Sequence, residues 1–136
     1  MIVHETQIRV RYAETDKMGY VYYGNYATYF EVARVEMLRS QGVSYASMED
    51  SGVMMPVLET SHKFFKPGLY DDLLTIKTYI EEKPGVRVFF DYEVFNEKGD
   101  KLSIGKTTLV FVNKETGKPC NPPEVFKKAV CSKFDE

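Results

Sequence analysis

Five stretches of the chain carry the short apolar patterns that predict β-strands. In the first, residues 4–12, a period of two places Ile8, Val10 and Tyr12 on one face. The other four predicted strands cover residues 56–65, 73–82, 86–96 and 101–113. Gaps rich in Gly and Pro separate them, and the last two gaps are short enough for hairpins. The final three strands are therefore predicted to form an antiparallel meander.

One stretch repeats with helical spacing instead. Tyr26, Phe30, Ala33 and Met37 fall at i, i+4, i+7 and i+11, which predicts an amphipathic helix from about residues 23–25 to just before Gly42. More than half of its circumference is apolar, so we expect it to be wrapped by other elements. The order strand, long helix, four strands predicts an α+β fold in which one curved, five-stranded antiparallel sheet surrounds one central helix.

The other segments are short. Residues 44–53 are predicted to be a linker, and residues 124–134 a helical turn or two. With 136 residues, of which 43% are hydrophobic and 28% charged, the chain has the size and balance of a single domain spanning 1–136. The sheet's edges need covering, so we expect pairing with an identical copy.

Charge and residue counts exclude several classes of function. Eighteen Lys and Arg against 20 Asp and Glu give a formal charge of -2, without the basic block of a nucleic-acid binder. The two histidines and two cysteines stand apart, which argues against structural zinc, a disulfide scaffold and a Ser-His-Asp triad. His62 is predicted to be structural and half-buried, and both cysteines inert. Neither a signal peptide nor a membrane-spanning stretch is predicted, so we expect a cytoplasmic protein.

The candidate chemistry lies in residues 12–26. Asp16 is predicted to lie in a loop just before the helix, whose N-terminus offers unpaired N–H groups and the positive end of a dipole. Such a terminus polarises a carbonyl group, while a nearby carboxylate can attack the carbonyl carbon or deprotonate a water. Together they make an acyl-transfer site without histidine. The alternative is that Asp16 only shapes a turn.

A family resemblance rests on the same segment. Residues 12–34 read Tyr-x-Glu-Thr-Asp-x-Met-Gly-x-Val-Tyr-Tyr-x-Asn-Tyr-x-x-Tyr-Phe-Glu-x-Ala-Arg. This run resembles the 4-hydroxybenzoyl-CoA thioesterase family of hot-dog folds, in particular the bacterial acyl-CoA thioesterases of the Tol-Pal-associated branch, and residues 66–72 match as well. The resemblance implies a helix wrapped by a five-stranded sheet, assembled as a homodimer and often a homotetramer.

The resemblance also implies roles for single residues. The family's catalytic Asp falls on Asp16, as nucleophile or general base, and its carbonyl-polarising backbone amide falls on Tyr23. Some relatives of the Tol-Pal-associated branch carry His at the position of Tyr23, whereas the 4-hydroxybenzoyl enzyme type carries Tyr there. The chain therefore mixes features of two branches. Tyr12 matches the vicinity of the family's active site, the alternative being an inward-facing strand tyrosine. Gly24 and Asn25, at the start of the helix, are further candidates for contact with substrate.

The phosphates of coenzyme A need basic partners. Lys63, Lys66 and Arg87, in or beside predicted strand ends, are the candidates, the alternative for each being a solvated surface charge. Glu31 and Arg34 are predicted to form an ion pair, within the helix or at an interface.

The sequence thus predicts an acyl-CoA thioesterase without metal or bound cofactor. An acyl-carrier-protein thioesterase and a non-catalytic acyl-CoA binder are the alternatives. Because one helix in one sheet is too small to enclose an acyl-CoA, we expect the complete site to lie between subunits.

Overall fold

A computed structural model describes residues 1–135, and five of its strands form one antiparallel sheet around a long helix. The strands are β1 (Ile2–Arg9), β2 (Val53–Met54), β3 (Val57–Phe64), β4 (Leu73–Ile80), β5 (Arg87–Phe95), β6 (Lys101–Val110) and β7 (Val112–Asn113). The helices are α1 (Asn25–Ser40), α2 (Tyr45–Asp50) and α3 (Glu124–Ala129), with short 3-10 turns at Tyr12–Glu14 and Cys131–Phe134. The predicted α+β arrangement is confirmed.

The strand order of the large sheet is β1-β4-β5-β6-β3. Consecutive strands β4, β5 and β6 pair antiparallel, which confirms the predicted meander. Strand β1 pairs with β4 at one edge and β3 pairs with β6 at the other, while β2 and β7 form a separate two-stranded sheet. The edge strand β3 therefore has a hydrogen-bonded neighbour on one side only.

Helix α1 lies on the concave side of the sheet and packs against it through the apolar stripe that the residue spacing predicts. Tyr26, Phe30, Ala33 and Met37 are all buried. The ring of Phe30 stacks on Tyr92 of β5, with 4.2 Å between their centroids and an angle of 12° between their planes. Burial of one apolar stripe against a curved sheet fixes the axis of α1, and with it the place of the helix N-terminus.

Two predicted boundaries are wrong. The first strand ends at Arg9 rather than at Tyr12, because β4 begins at Leu73, the partner of Arg9, and offers no further strand to pair with. Tyr12 instead lies in a 3-10 turn and is 79% exposed, so the alternative of an inward-facing strand tyrosine is excluded. The predicted last strand is divided at Phe111. Strand β6 ends just before this residue, and β7 begins just after it and pairs with β2 instead of β3 or β5.

The predicted linker contains a short helix. In α2, Ser44 accepts a hydrogen bond from the Ser47 amide at 3.1 Å, while the Ser47 hydroxyl accepts one from the Ser44 amide at 3.2 Å. This reciprocal capping satisfies amides that would otherwise lack partners. Six residues of weak periodicity concealed the helix from sequence analysis.

The arginine of the predicted helix pair is buried. Arg34 is 6% exposed, and no ion pair within residues 1–135 joins it to Glu31. The prediction of a pair within one chain is therefore wrong, because Arg34 turns toward the core while Glu31 faces solvent. His62, by contrast, is half-buried as predicted and packs edge-on against Phe30 at 5.2 Å.

Candidate active site

The loop that carries Asp16 is a narrow hairpin after the 3-10 turn. Thr15 and Val21 form an isolated antiparallel bridge, and the Asp16 amide donates to the Tyr20 carbonyl at 2.8 Å. The Val21 amide in turn donates to the Gly68 carbonyl at 2.8 Å. The two segments that carry the family resemblance, far apart in the sequence, therefore lie side by side.

The carboxylate of Asp16 is oriented by its own loop. Oδ1 accepts hydrogen bonds from the amides of Met18 at 2.9 Å and Tyr20 at 3.2 Å. Oδ2 accepts none within residues 1–135. One oxygen thus shapes the turn, as the simpler alternative for this residue requires, and the other remains available for chemistry.

The N-terminus of α1 lies beside this loop. The Asn25 and Tyr26 amides donate to the carbonyls of Tyr22 and Tyr23, at 2.9 and 3.2 Å. The Tyr23 amide itself donates no hydrogen bond to any group of residues 1–135. Gly24 is tightly placed, because a Cβ there would lie 2.8 Å from the ring of Tyr22. Tyr23 lies two residues before the first residue of the 16-residue helix α1, and a free amide near the positive end of a helix dipole can bind a carbonyl oxygen or an oxyanion.

A pocket of about 340 Å³ opens between this helix terminus and the end of β3. Its lining is aromatic and apolar apart from Asp16 and Lys66. The lining residues are Asp16, Tyr20, Val21, Tyr23, Tyr26, Phe64, Phe65, Lys66 and Pro67. A concave apolar site with few polar groups is typical of small-molecule binding.

The structure brings Asp16, Tyr23 and Lys66 of the predicted site residues to this pocket. Tyr12 lies outside the lining, with its ring edge-on to Tyr70 at 5.8 Å. Gly24 is likewise not among the lining residues, although it directly follows Tyr23 in the chain. Asn25 uses its side-chain amide to donate to the Glu14 carbonyl at 2.8 Å, a contact within the protein.

The other basic candidates lie elsewhere in the protomer. The side chains of Lys63 and Phe64 lie on opposite faces of β3, because neighbouring residues of a strand point to alternate faces of the sheet. Lys63 pairs with Ile104 of β6, whereas Arg87 of β5 pairs with Val110, six residues further along β6, or about 20 Å. One chain therefore does not gather the three basic residues around one phosphate group.

Sequence reasoning missed a buried carboxylate. Glu14 is 9% exposed and accepts hydrogen bonds from Arg11 and Tyr29. Glu14 follows Arg11 by three residues, and at this spacing a side-chain carboxylate can accept a hydrogen bond from the amide that precedes a helical turn. This capping pattern can be recognised in the sequence. Its partner Tyr29 lies 15 residues further along the chain, so no local sequence pattern indicates this hydrogen bond.

No group of three His, Cys, Asp or Glu side chains within residues 1–135 is placed to hold a metal ion. Nor is any helix in that part of the chain both long and apolar enough to cross a membrane. The thiol of Cys131 is buried, and burial raises its pKa.

Comparisons with known proteins agree with this architecture. A DHNA-CoA thioesterase from Staphylococcus aureus superimposes with a TM-score of 0.87 at 38% identity, over 99% of this chain and 88% of that one. The fold is thus the hot-dog fold that the resemblance implied. The family profile described as the thioesterase superfamily matches residues 18–103. The chain belongs to the thioesterase superfamily.

Two curated relatives cover nearly the whole chain. The putative acyl-CoA thioesterase YneP of Bacillus subtilis is 38% identical over 130 residues, which are 95% of this chain and 91% of that protein. The acyl-CoA thioester hydrolase YbgC of Escherichia coli is 29% identical over 129 residues, 95% of this chain and 93% of that protein. The predicted resemblance to thioesterases is confirmed.

Proposed function

We propose that the protein is an acyl-CoA thioester hydrolase that releases a free acid and coenzyme A. The observation that carries this proposal is that Asp16 and Tyr23 line one aromatic pocket, and that within residues 1–135 neither Oδ2 of Asp16 nor the amide of Tyr23 makes a hydrogen bond. The names of the relatives support the thioester class of substrate. The proposal includes hydrolysis without metal or bound cofactor, in the cytoplasm.

The mechanism assigns one task to each group. The thioester oxygen accepts a hydrogen bond from the Tyr23 amide, and the positive end of the α1 dipole stabilises the negative charge that develops there. Asp16 then acts in one of two ways. Attack by Oδ2 on the carbonyl carbon expels the CoA thiolate and leaves an acyl-aspartyl anhydride, which water hydrolyses. Alternatively, Asp16 removes a proton from the water that attacks.

The two ways differ in the fate of an oxygen atom. A nucleophilic Asp16 acquires an oxygen from water when the anhydride is opened at the aspartyl carbon, whereas a general base acquires none. A single turnover with enzyme in excess in ¹⁸O-water, followed by mass spectrometry of the peptide containing residue 16, tests for the nucleophile. Label in the peptide identifies a nucleophilic Asp16, whereas label confined to the released acid shows that water attacked the acyl carbon, as it does both in the general-base path and when an anhydride opens at that carbon.

The substrate is proposed to span two subunits. Within residues 1–135, strand β3 has no partner on its outer edge. Its apolar residues Val57, Leu58 and Phe64 are each about half exposed. An unpaired apolar edge favours pairing with a second copy. If two β3 strands pair antiparallel about a two-fold axis, Arg87 of a second copy moves toward the same end of the combined sheet as Lys66. This supports a homodimer, or a tetramer of two dimers, in which basic residues of both copies hold the CoA phosphates.

The deciding experiment is a hydrolysis screen over short, long and aromatic acyl-CoAs with wild type and Asp16→Asn. We expect the variant to lose about 10²–10⁴-fold in kcat, the usual contribution of a positioned acid or base. Asp91→Asn is the matched control, because Asp91 is not among the residues that line the pocket and pairs with Lys106 at 3.3 Å. Near-normal hydrolysis by Asp16→Asn would contradict the mechanism.

Two further arms separate the alternatives. Matched acyl-CoA and acyl-carrier-protein substrates compare the two thioester sources, and faster hydrolysis of the carrier substrate would favour an acyl-carrier-protein thioesterase. Saturable binding of acyl-CoA without turnover by the wild type would instead identify a binding protein. An unchanged rate in the presence of a metal chelator is expected.

A further inference from the structure

Glu14 is a buried carboxylate that binds three donors. Oε1 accepts from the Tyr29 hydroxyl at 3.0 Å and from the Arg11 amide at 2.9 Å, while Oε2 accepts from the Arg11 guanidinium at 2.8 Å. Burial by itself would raise the pKa of Glu14, but the hydrogen bonds from Arg11 and Tyr29 outweigh it and hold that pKa below its ordinary value. The ionised side chain is thereby tied to the second turn of α1.

The main chain of Glu14 makes a second pair of contacts. Its carbonyl oxygen accepts from the Tyr22 amide at 2.9 Å and from the Asn25 side-chain amide at 2.8 Å. Tyr22 immediately precedes Tyr23, and Asn25 is the first residue of α1. One residue therefore holds the helix N-terminus from two directions, through its carboxylate and through its carbonyl.

The same residue adjoins the Asp16 loop. Asp16 follows Glu14 by two residues, and between them Thr15 is held by its bridge to Val21. The free carboxylate oxygen and the free amide of the pocket thus lie at the two ends of a short hydrogen-bonded assembly with Glu14 at its centre. A shift of Glu14 moves one reacting group relative to the other.

From these contacts we infer that Glu14 is a positioning residue, which fixes the Asp16 carboxylate relative to the Tyr23 amide. The inference rests on the proposed function. Reacting atoms must be held at about 3–3.5 Å, and a misplacement of about 1 Å can cost 10²-fold in rate. Loss of the Glu14 contacts therefore lowers kcat far more than it weakens the binding of CoA, because the basic residues proposed to hold the CoA phosphates are not among the partners of Glu14.

A matched arrangement elsewhere in the chain serves as control. Glu93 of β5 accepts a hydrogen bond from the Tyr79 hydroxyl and pairs with Lys101 Nζ at 2.6 Å. It has the same combination of carboxylate, tyrosine and cation as Glu14, but it joins neighbouring strands of the sheet and touches neither the loop nor α1. If Glu14 served only the stability of the fold, its replacement, like that of Glu93, would lower the free energy of unfolding without a specific loss of kcat.

The experiment compares Glu14→Ala, Glu14→Gln, Asn25→Ala and Glu93→Ala. For Glu14→Ala we expect kcat to fall about 10²-fold with KM within about threefold of wild type, by the positioning argument. Glu14→Gln keeps one oxygen, which can still accept from the Tyr29 hydroxyl and the Arg11 amide, but its NH2 group cannot accept from the Arg11 guanidinium. It should therefore lose less of the rate than Glu14→Ala. Asn25→Ala should reproduce part of the loss, and its effect should not add to that of Glu14→Ala. Glu93→Ala should leave kcat unchanged.

Hydrogen exchange supplies a readout apart from activity. In Glu14→Ala and Asn25→Ala the Tyr22 amide should exchange faster than in wild type, while core amides of β5 should keep their protection. Wild-type kcat in both variants, or an equal loss in Glu93→Ala, overturns the inference. If Glu14→Ala does not fold, Asn25→Ala decides by the same criteria.

Failure of the proposed function gives a different result. In that case wild type and Asp16→Asn hydrolyse every thioester equally, whatever the Glu14 variants do. A rate that depends on Asp16 but not on Glu14 or Asn25 contradicts only the positioning role.

Discussion

Replacement of Gly105 by alanine tests how tightly α1 is seated in the sheet. Gly105 lies on β6 opposite Tyr92, and a Cβ at this position would lie 2.3 Å from Cε2 and 2.7 Å from Cζ of Phe30. Carbon atoms pack at about 3.5–4.0 Å, so ring and strand must separate by more than about 1 Å. The ring cannot simply turn aside, because it is fully buried and stacked on Tyr92.

The cost follows from the overlap. Overpacking of this kind destabilises by about 1–3 kcal/mol. For a chain of this length, 1 kcal/mol corresponds to about 3–4 °C in Tm, so Gly105→Ala should lower Tm by about 3–12 °C. Thermal unfolding followed by circular dichroism, with urea unfolding for the free energy, measures the effect.

Two comparisons make the result specific. Gly85→Ala has no atom within 4 Å of the new Cβ and needs no positive φ, so its stability should change by less than about 1 kcal/mol. Phe30→Leu makes room, and the double variant with Gly105→Ala should be more stable than the sum of the single effects by about 0.5–3 kcal/mol. Equal effects of Gly105→Ala and Gly85→Ala, or strict additivity with Phe30→Leu, would refute the packing argument.

Two further predictions concern acid stability and assembly. Burial lowers the pKa of His62, so His62 binds a proton in the unfolded chain at a higher pH than in the native state. The free energy of unfolding should therefore fall from about pH 6.5 downward. Between about pH 7 and pH 5, urea titrations should show a smaller fall in this free energy for His62→Gln than for wild type. A pH dependence identical in both proteins contradicts this. Leu58→Lys places a charge on the exposed edge of β3 and should shift the protein toward monomers with lower activity, as light scattering and the hydrolysis assay would show; an unchanged oligomer excludes this edge as the interface.

Much of the fold follows from local patterns in the sequence. The alternation in β4 and the i, i+4, i+7 spacing of α1 are strong because each element buries one face, and the short gaps around β5 leave no topology but a meander. The Asp16 loop was predicted from the same local information, since polar residues and glycines interrupt the pattern between β1 and α1. The family resemblance then implies catalytic roles for Asp16 and for the Tyr23 amide.

The remaining features depend on contacts between distant residues. The end of β1 is set by the residue at which β4 begins. Arg34 is buried because of the rotation of α1 against the sheet. The distance between Lys63 and Arg87 is set by the register of their strands along β6. Glu14 gains its partner Tyr29 only when the loop folds back on α1.

The sequence by itself thus determined the strands of the large sheet, the central helix and their order and, through the family resemblance, the two residues proposed to act on the thioester. The tertiary structure decided which oxygen of Asp16 is free, that the Tyr23 amide is unbonded, and that Glu14 stands between them. The physical reason is range: hydrophobic periodicity and turn propensity act over a few residues, whereas a buried carboxylate or a free amide is defined by every group that folding brings within hydrogen-bond distance.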